Sequence, residues 1–549
     1  MKLTFVFAIA LLFSCCLASV DNLWPAVKVL SSGDDTYTVS SDLTLDCVSG
    51  CEDATVSSFI NDGFDRFTQT TFWNESAYTN YLSEDALPLI SLYLTDDSLD
   101  LDPLTMDQSY NITCTSTDNI IVSAGSPFAA LYAFTTLTQL IEYDTSSNKY
   151  QLVGAPIIIV DEPRFPWRGL MIDTARHFLP ISTIKRQIRA LVQNKLNVLH
   201  VHLVDAQSFP LVTPSVPELA QGAYNGSNGG NTFTQDEMED LVRYGFARGV
   251  RVIPEIDVPG HSGGWRFGRP DVVTNCSCGE SNVNNYSLDP SSDTTIPVMS
   301  EVFSDTIDMF NLDDVSSKSY IHCGGDEVAT CCWNGSDAVK EWMAEEGISS
   351  YNGVTEYFTE NINDVLNDHD ASGIFWEEAF SNGMPLAEGD IIQVWSDKSV
   401  LSQCAKDGSF NCLLSTGWYL DQQIPSLDGT THYEWKDTYQ DFLNNEPFSD
   451  GTWTSAMMEN VKGGEACMWS EQVNQHDIDA RVWPRACATA DVLWAQSSGY
   501  STTAKDRLIG HRCRMVRGGI GAGPIAPDAP CEGEDVGTKA WAQSFLEDL

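Results

Sequence analysis

Gly169-Leu170-Met171-Ile172-Asp173, an amphipathic stretch over Ile181–Gln193, and Val198-Leu199-His200-Val201-His202-Leu203-Val204 form the passage on which the fold turns. Two short apolar runs flank a segment with helical spacing, which reads as strand, helix, strand. The pattern then recurs. Further apolar runs lie at 250–256, 320–324, 373–376, 391–395, 412–415 and 464–468, with helical stretches such as 235–248 and 294–310 between them. Eight apolar strands with intervening helices predict a parallel (β/α)8 TIM barrel. A doubly wound open sheet is the alternative, but no G-x-G-x-x-G follows a strand.

Upstream, Asp161-Glu162-Pro163-Arg164-Phe165-Pro166 is rich in proline and charge and marks a boundary. Before it, strand-like runs (Tyr37-Thr38-Val39, 89–94, 119–122) alternate with turns, and a helical pattern covers 127–143. We expect a small α+β accessory domain over 19–162 and the barrel over 163–549. Lys2, the apolar run 3–13 and small residues around Ala18 predict a signal peptide over 1–18. Six N-x-S/T sequons, at Asn74, Asn111, Asn225, Asn275, Asn285 and Asn334, fit a secretory route to a lysosome-like compartment or the extracellular space.

The chain has 549 residues, a formal net charge of −47, and apolar and aromatic contents of 42% and 10%. That composition is globular rather than disordered. The charge repels nucleic acid and anionic membranes, so neither is expected as a partner. Two of the sixteen cysteines fall in the signal segment. Cys47, Cys51, Cys114, Cys276, Cys278, Cys331, Cys332, Cys404, Cys412, Cys513 and Cys531 are disulfide candidates in an oxidising compartment. Cys323, Cys467 and Cys487 lie in apolar segments and read as buried thiols.

A barrel places its chemistry just past the strand C-termini. The polar residues around the strands are Arg168 (just before the first), Asp205, Asp257 with His261, Asp326 with Glu327, Trp376 with Glu377 and Glu378, Trp395, Tyr419 with Asp421, and Trp469 with Glu471. Taken singly, an acid there is often a helix cap and a tryptophan is usually core. Their repetition around the strands points to acids that move protons and rings that stack on sugars. In Ile321-His322-Cys323-Gly324-Gly325-Asp326-Glu327, two glycines permit a tight turn that projects adjacent carboxylates into the mouth. Mutual repulsion lets one hold a proton while the other ionises, as glycoside hydrolysis requires.

The motif His322-Cys323-Gly324-Gly325-Asp326-Glu327-Val328 resembles the signature of the family 20 glycoside hydrolases. The likeness runs from about Phe165 to Cys531. It takes in Phe165–Gly169, Asp173-Thr174-Ala175-Arg176-His177, 194–198, 202–205, Asp257-Val258-Pro259-Gly260-His261 and 463–469. Lysosomal-type β-N-acetylhexosaminidases look most similar. The resemblance implies an exo-acting, retaining enzyme on terminal N-acetylhexosamine, in which the substrate's own acetamido oxygen is the nucleophile. It implies Glu327 as general acid/base, Asp326 as the group orienting the acetamido N–H, and Tyr419 as partner of the acetamido oxygen. Trp376, Trp395 and Trp469 would wall the acetamido pocket, and Arg168, Asp421 and Glu471 would bind sugar hydroxyls, with Asp205 and His261 supporting Glu327. It implies a glycan or chito-oligosaccharide substrate, no cofactor, no metal and a possible homodimer. Trp418-Tyr419-Leu420-Asp421-Gln422 carries an acid where relatives that accept sulfated sugars carry asparagine then arginine, which favours neutral substrates.

Two other readings compete. His200-x-His202 with Asp205 and Asp257 faintly resembles barrel metallohydrolases. A catalytically dead chitin-binding lectin is the second, but it would be expected to lack Asp326 or Glu327.

Overall fold

The computed structural model describes residues 20–73, 86–224, 230–274, 286–312, 314–421, 439–449, 451–495, 502–526 and 529–531. The first part is a six-stranded sheet of β1 (Val29–Ser49), β2 (Leu87–Leu94), β3 (Tyr110–Cys114), β4 (Ile120–Ala124), β5 (Ile141–Asp144) and β6 (Lys149–Asp161), in the order β1-β2-β4-β3-β6-β5. Two helices, Ala54–Thr71 and Pro127–Leu140, pack together over it through Phe64, Phe67 and Phe134. The second helix stops three residues short of the predicted end. Ile141–Asp144 instead pairs with Lys149–Leu152 of β6, and this ladder outweighs helical spacing.

The second part is a closed parallel barrel: β7 (Trp167–Asp173), β8 (Val198–Val204), β9 (Arg251–Ile256), β10 (Ser319–His322), β11 (Ala371–Trp376), β12 (Ile391–Val394), β13 (Asn411–Leu414) and β14 (Val461–Met468). All eight expected strands are present, within a few residues of their predicted bounds. Every residue of β7, β8 and β9 is buried, as strands covered on both faces must be. The strand expected over 320–324 ends at His322, because Gly324 and Gly325 turn away at φ 69° and 95°. Around the barrel, Thr234 and Glu237 form a reciprocal cap on helix Gln235–Phe246, which fixes its start.

Alternation along the strands stacks the interior in layers. An apolar floor is made by Trp167, Val198, Ile253, Tyr320, Ile374, Ile391 and Leu413, one residue from each of seven strands. The eighth, β14, has Gly463 there; a Cβ would lie 1.8 Å from the Trp167 carbonyl oxygen. Two residues further along, His200, Glu255, His322, Gln393 and Glu465 form a polar layer, all buried. Trp376, two residues beyond Ile374 and in register with Gln393, belongs to this layer too, and two residues further on lie the mouth groups His202, Asp257, Trp395 and Cys467.

Cystines join Cys47–Cys51, Cys404–Cys412 and Cys513–Cys531, and Cys331 and Cys332 are also disulfide-bonded. Cys276 and Cys278 lie outside the described residues. Cys114 corrects the expectation: it is a buried free thiol like Cys323, Cys467 and Cys487. It faces the core of the small domain, its sulfur 3.5 Å from the Ser116 carbonyl oxygen, and burial pushes it up to about 12.

Candidate active site

The polar layer supports the mouth from below. Glu255 is its hub: one carboxylate oxygen accepts the Trp376 indole N–H at 2.8 Å, and the other meets His200 Nε2 at 3.0 Å and His202 Nδ1 at 2.6 Å. His200 Nδ1 reaches Glu465 at 3.0 Å, and His202 Nε2 reaches Asp205 at 3.0 Å. Burial alone would strip protons from these histidines. The facing carboxylates outweigh it, raising His200 to about 9 and His202 to about 10. His322, stacked on His200 at 4.6 Å, goes the other way, to about 3, because burial prevails there. The His200-x-His202 pair therefore points inward with both rings bonded on both sides.

Asp205 stands at the end of β8 and gathers cations. Its Oδ2 lies 2.7 Å from Arg176, 3.0 Å from His202 and 2.9 Å from His261 Nδ1. Although burial opposes ionisation, these cations hold its carboxyl far below the usual range. Across the ring, His261 Nε2 faces Asp257, Asp326 and Glu327 at 3.8, 3.6 and 3.6 Å. Burial and the neighbouring Asp326 push Asp257 well up, and burial likewise raises Asp326.

The predicted turn brings the two acids to different surroundings. Gly324 leaves no room for a side chain, since a Cβ would meet Asp257 Oδ1 at 1.9 Å; the Gly325 N–H donates to that same oxygen at 3.0 Å. Asp326 is 6% exposed, whereas the Glu327 side chain is 47% exposed at a left-handed φ of 44°. Glu327 lines a cleft of about 600 Å³ together with Tyr351, Asn352, Thr355, Glu378 and Asn382.

Four rings cluster at this end, and the charge of Asp326 is felt at the Tyr419 hydroxyl. Trp376 and Trp469 pack at 6.0 Å between centroids, as do Trp395 and Tyr419, around Met171 and Cys467. Burial keeps the Tyr419 hydroxyl protonated far beyond its usual range. The Trp395 indole N–H donates to Glu378 at 2.9 Å, and burial followed by the charge of Asp326 raises that carboxyl to about 7. Asp421 is raised to about 6, mainly by burial, with Glu471 adding repulsion. Glu327, Asp326, Tyr419, Asp205, His261, Trp376, Trp395, Trp469, Asp421 and Glu471 thus share one end of the barrel.

Arg168 does not. Its fully buried guanidinium donates to the carbonyls of Lys195, Phe165 and Pro166 and to the Tyr132 hydroxyl, and lies 4.9 Å over Trp494. It sits at the N-terminal end of β7, clamping barrel to accessory domain, so its expected contact with sugar is withdrawn. The arginine at the mouth is Arg176, past the other end of β7. It pairs with Asp173 as well as Asp205, stacks 4.9 Å over Trp469 and senses the charge of Glu471.

Three sets bring histidine and carboxylate atoms within 4.8 Å among the described residues: His200–Glu255–His322, His202–Glu255–Asp257 and Asp257–His261–Asp326. In the first two, His200 and His202 are spent on neighbouring carboxylates. The third lies beside Glu327 at the mouth.

Residues 165–497 match the model of the glycosyl hydrolase family 20 catalytic domain. The chain belongs to glycosyl hydrolase family 20. This family 20 chain is 37% identical over 475 residues to β-hexosaminidase subunit A1 of Dictyostelium discoideum, covering 86% of itself and 85% of that protein. Against human β-hexosaminidase subunit beta it is 32% identical, with 80% and 75% covered. Among solved structures it is similar to Flavobacterium johnsoniae chitobiase, with a TM-score of 0.76 at 27% identity over 91% of this chain and 73% of that one. It is a glycoside hydrolase on a TIM barrel with a separate sheet domain.

Proposed function

We propose that this family 20 hydrolase removes terminal, non-reducing β-linked N-acetylhexosamine by a retaining mechanism in which the substrate's acetamido oxygen is the nucleophile. The observation that supports it most is the four-ring cage of Trp376, Trp395, Tyr419 and Trp469 beside buried Asp326 and half-exposed Glu327. A cage of this kind fits a small acetyl group, which plain glucose lacks. Names of the relatives agree, since they are β-hexosaminidases.

Glu327, facing the open cleft, protonates the leaving oxygen and later takes a proton from water. Asp326, acting as the carboxylate, accepts the acetamido N–H and stabilises the positive ring as it forms, in surroundings where water competes weakly. Tyr419 stays protonated and donates to the acetamido oxygen, pressing it towards the anomeric carbon. Arg176, Asp421 and Glu471 hold sugar hydroxyls, while Asp205 and the His261 ring steady the acid pair. The leader expected over 1–18 and the exposed sequons Asn111 and Asn334 support a secretory route. Among the described residues no helix is long and apolar enough to cross a membrane. A glycan substrate and a homodimer complete the reading, the latter resting on family likeness alone. Hydrolysis of an aryl β-N-acetylglucosaminide and a matched aryl β-glucoside tests it: the first should turn over, be blocked by N-acetylglucosamine-thiazoline, and exceed the second by orders of magnitude.

A further inference from the structure

Among the described residues, His261 Nε2 at the mouth has no hydrogen-bond partner although its side chain is only 3% exposed, and it faces Asp257 and Asp326, both at least nine-tenths buried, whose carboxyl groups hydrogen-bond each other. One ligand atom from each of the three residues lies within 4.8 Å of the others. A buried ring nitrogen left unpaired is costly, which favours an occupant that it can bind. Carboxylate oxygens of Asp257, Asp326 and Glu327 lie 3.8, 3.6 and 3.6 Å from His261 Nε2.

From this geometry we propose that Asp257, His261 and Asp326 form an inhibitory site for a divalent zinc-like cation, with the Glu327 carboxyl 3.6 Å from His261 Nε2 at its edge. A tetrahedral zinc with bonds of about 2.0–2.2 Å sets its ligands about 3.3–3.6 Å apart. The gaps measured from His261 are at or slightly above that range, so a small contraction closes the shell. The ligand chemistry also fits, one imidazole and carboxylates. Behind the ring, His261 Nδ1 is bonded to Asp205 at 2.9 Å, which fixes the ring and leaves Nε2 turned to the ion. A carboxylate behind a metal-bound histidine is the usual supporting arrangement. The other buried histidine sets lack this freedom, since Glu255 already takes two imidazoles and an indole.

Occupancy would switch the enzyme off. The cation would cover the Asp326 face that binds the acetamido N–H and set a positive charge beside Glu327, which disfavours the protonated carboxyl that must give its proton to the leaving group. Zinc and sugar therefore exclude each other, and removal of the ion restores the site unchanged.

The test uses the whole secreted chain without a histidine tag, treated with chelator and kept at 150 mM salt to suppress loose binding to its acidic surface. Equilibrium dialysis with zinc should give one tight ion per chain. Saturating N-acetylglucosamine-thiazoline should displace it, and excess chelator should restore full activity. Asp257→Asn should weaken zinc at least ten-fold, and Asp205→Asn, one step removed, about 10–100-fold. Both variants are checked for an unchanged melting temperature before zinc is added. The thiazoline arm needs no variant but rests on the hexosaminidase reading; the Asp257 arm does not, so the two can fail separately. No tight ion, with water alone as occupant, overturns the site. So does zinc bound equally by wild type and a folded Asp257→Asn, or zinc retained while thiazoline is bound.

Discussion

Arg176 lies 2.7 Å from Asp205, and this pair joins the exit of β7 to the exit of β8 at the mouth of the barrel. Arg168, eight residues earlier in the chain, faces the opposite end and touches Tyr132 of the accessory domain instead. The two arginines should separate function from stability. Arg176→Gln should lower kcat/KM by about 10²-fold or more, since a buried charge pair is broken at the site. Arg168→Met should leave kcat/KM of the folded enzyme within a few fold. It frees several buried carbonyls at about 1–3 kcal/mol each, so its melting temperature should fall by several degrees. Steady-state kinetics and thermal melts on both variants check this; the reverse pattern would return the sugar contact to Arg168.

Glu327→Gln should lose proton transfer to the leaving group, about 10²–10⁴-fold in rate. Substrates with poor leaving groups should suffer most. A leaving group that needs no proton, such as dinitrophenolate, should be nearly spared. Equal losses on both would remove Glu327 from the acid's role.

Asp421, raised to about 6, is neutral below that pH and charged above it. Discrimination against a 6-sulfated N-acetylglucosaminide should therefore grow as pH rises through 6. Like charges about 4 Å apart repel by roughly 4 kcal/mol at an effective dielectric near 20, before screening. Asp421→Asn should flatten the pH dependence of the selectivity ratio. A ratio independent of both pH and the substitution would place Asp421 away from the 6-position.

Stability should also carry a sign. Glu378, raised to about 7 mainly by burial and next by Asp326, and Asp390, raised to about 6 by burial, bind protons in the folded chain at pH values where the unfolded chain has released them. From about pH 4 to 7 the folded state holds the extra protons, so these groups make unfolding easier as pH rises. Glu378→Gln, which keeps an acceptor for the Trp395 indole, should reduce that slope. Denaturant melts at pH 5 and 7 on wild type and variant give the comparison.

Much of this was legible before any coordinates. The strands declared themselves because a parallel barrel buries both faces, which writes runs such as Val198–Val204 as unbroken apolar sequence. Gly324-Gly325 announced a turn that a side chain at 324 would block. Glu255 was not legible. A single acid in Arg251–Ile256 says nothing until barrel closure surrounds it with His200, His202, His322 and Trp376. Glu378 likewise shows its role only when Trp395 arrives from the next strand. Arg168 and Arg176 could have been told apart, because active residues belong past a strand's C-terminus and Arg168 precedes the run 169–173. Cys114 misled because an oxidising compartment says which cysteines can pair, not which have a partner in reach.

The central claim is that the acetamido oxygen, seated in the ring cage beside Asp326, attacks the anomeric carbon. Replacing the N-acetyl methyl of an aryl β-N-acetylglucosaminide by mono-, di- and trifluoromethyl weakens that oxygen as a nucleophile stepwise while changing its size little. The measurement is kcat/KM across the series with one leaving group. A steep, regular fall with each fluorine is the predicted result. A flat series would mean that the acetamido group does not participate, and would contradict the account.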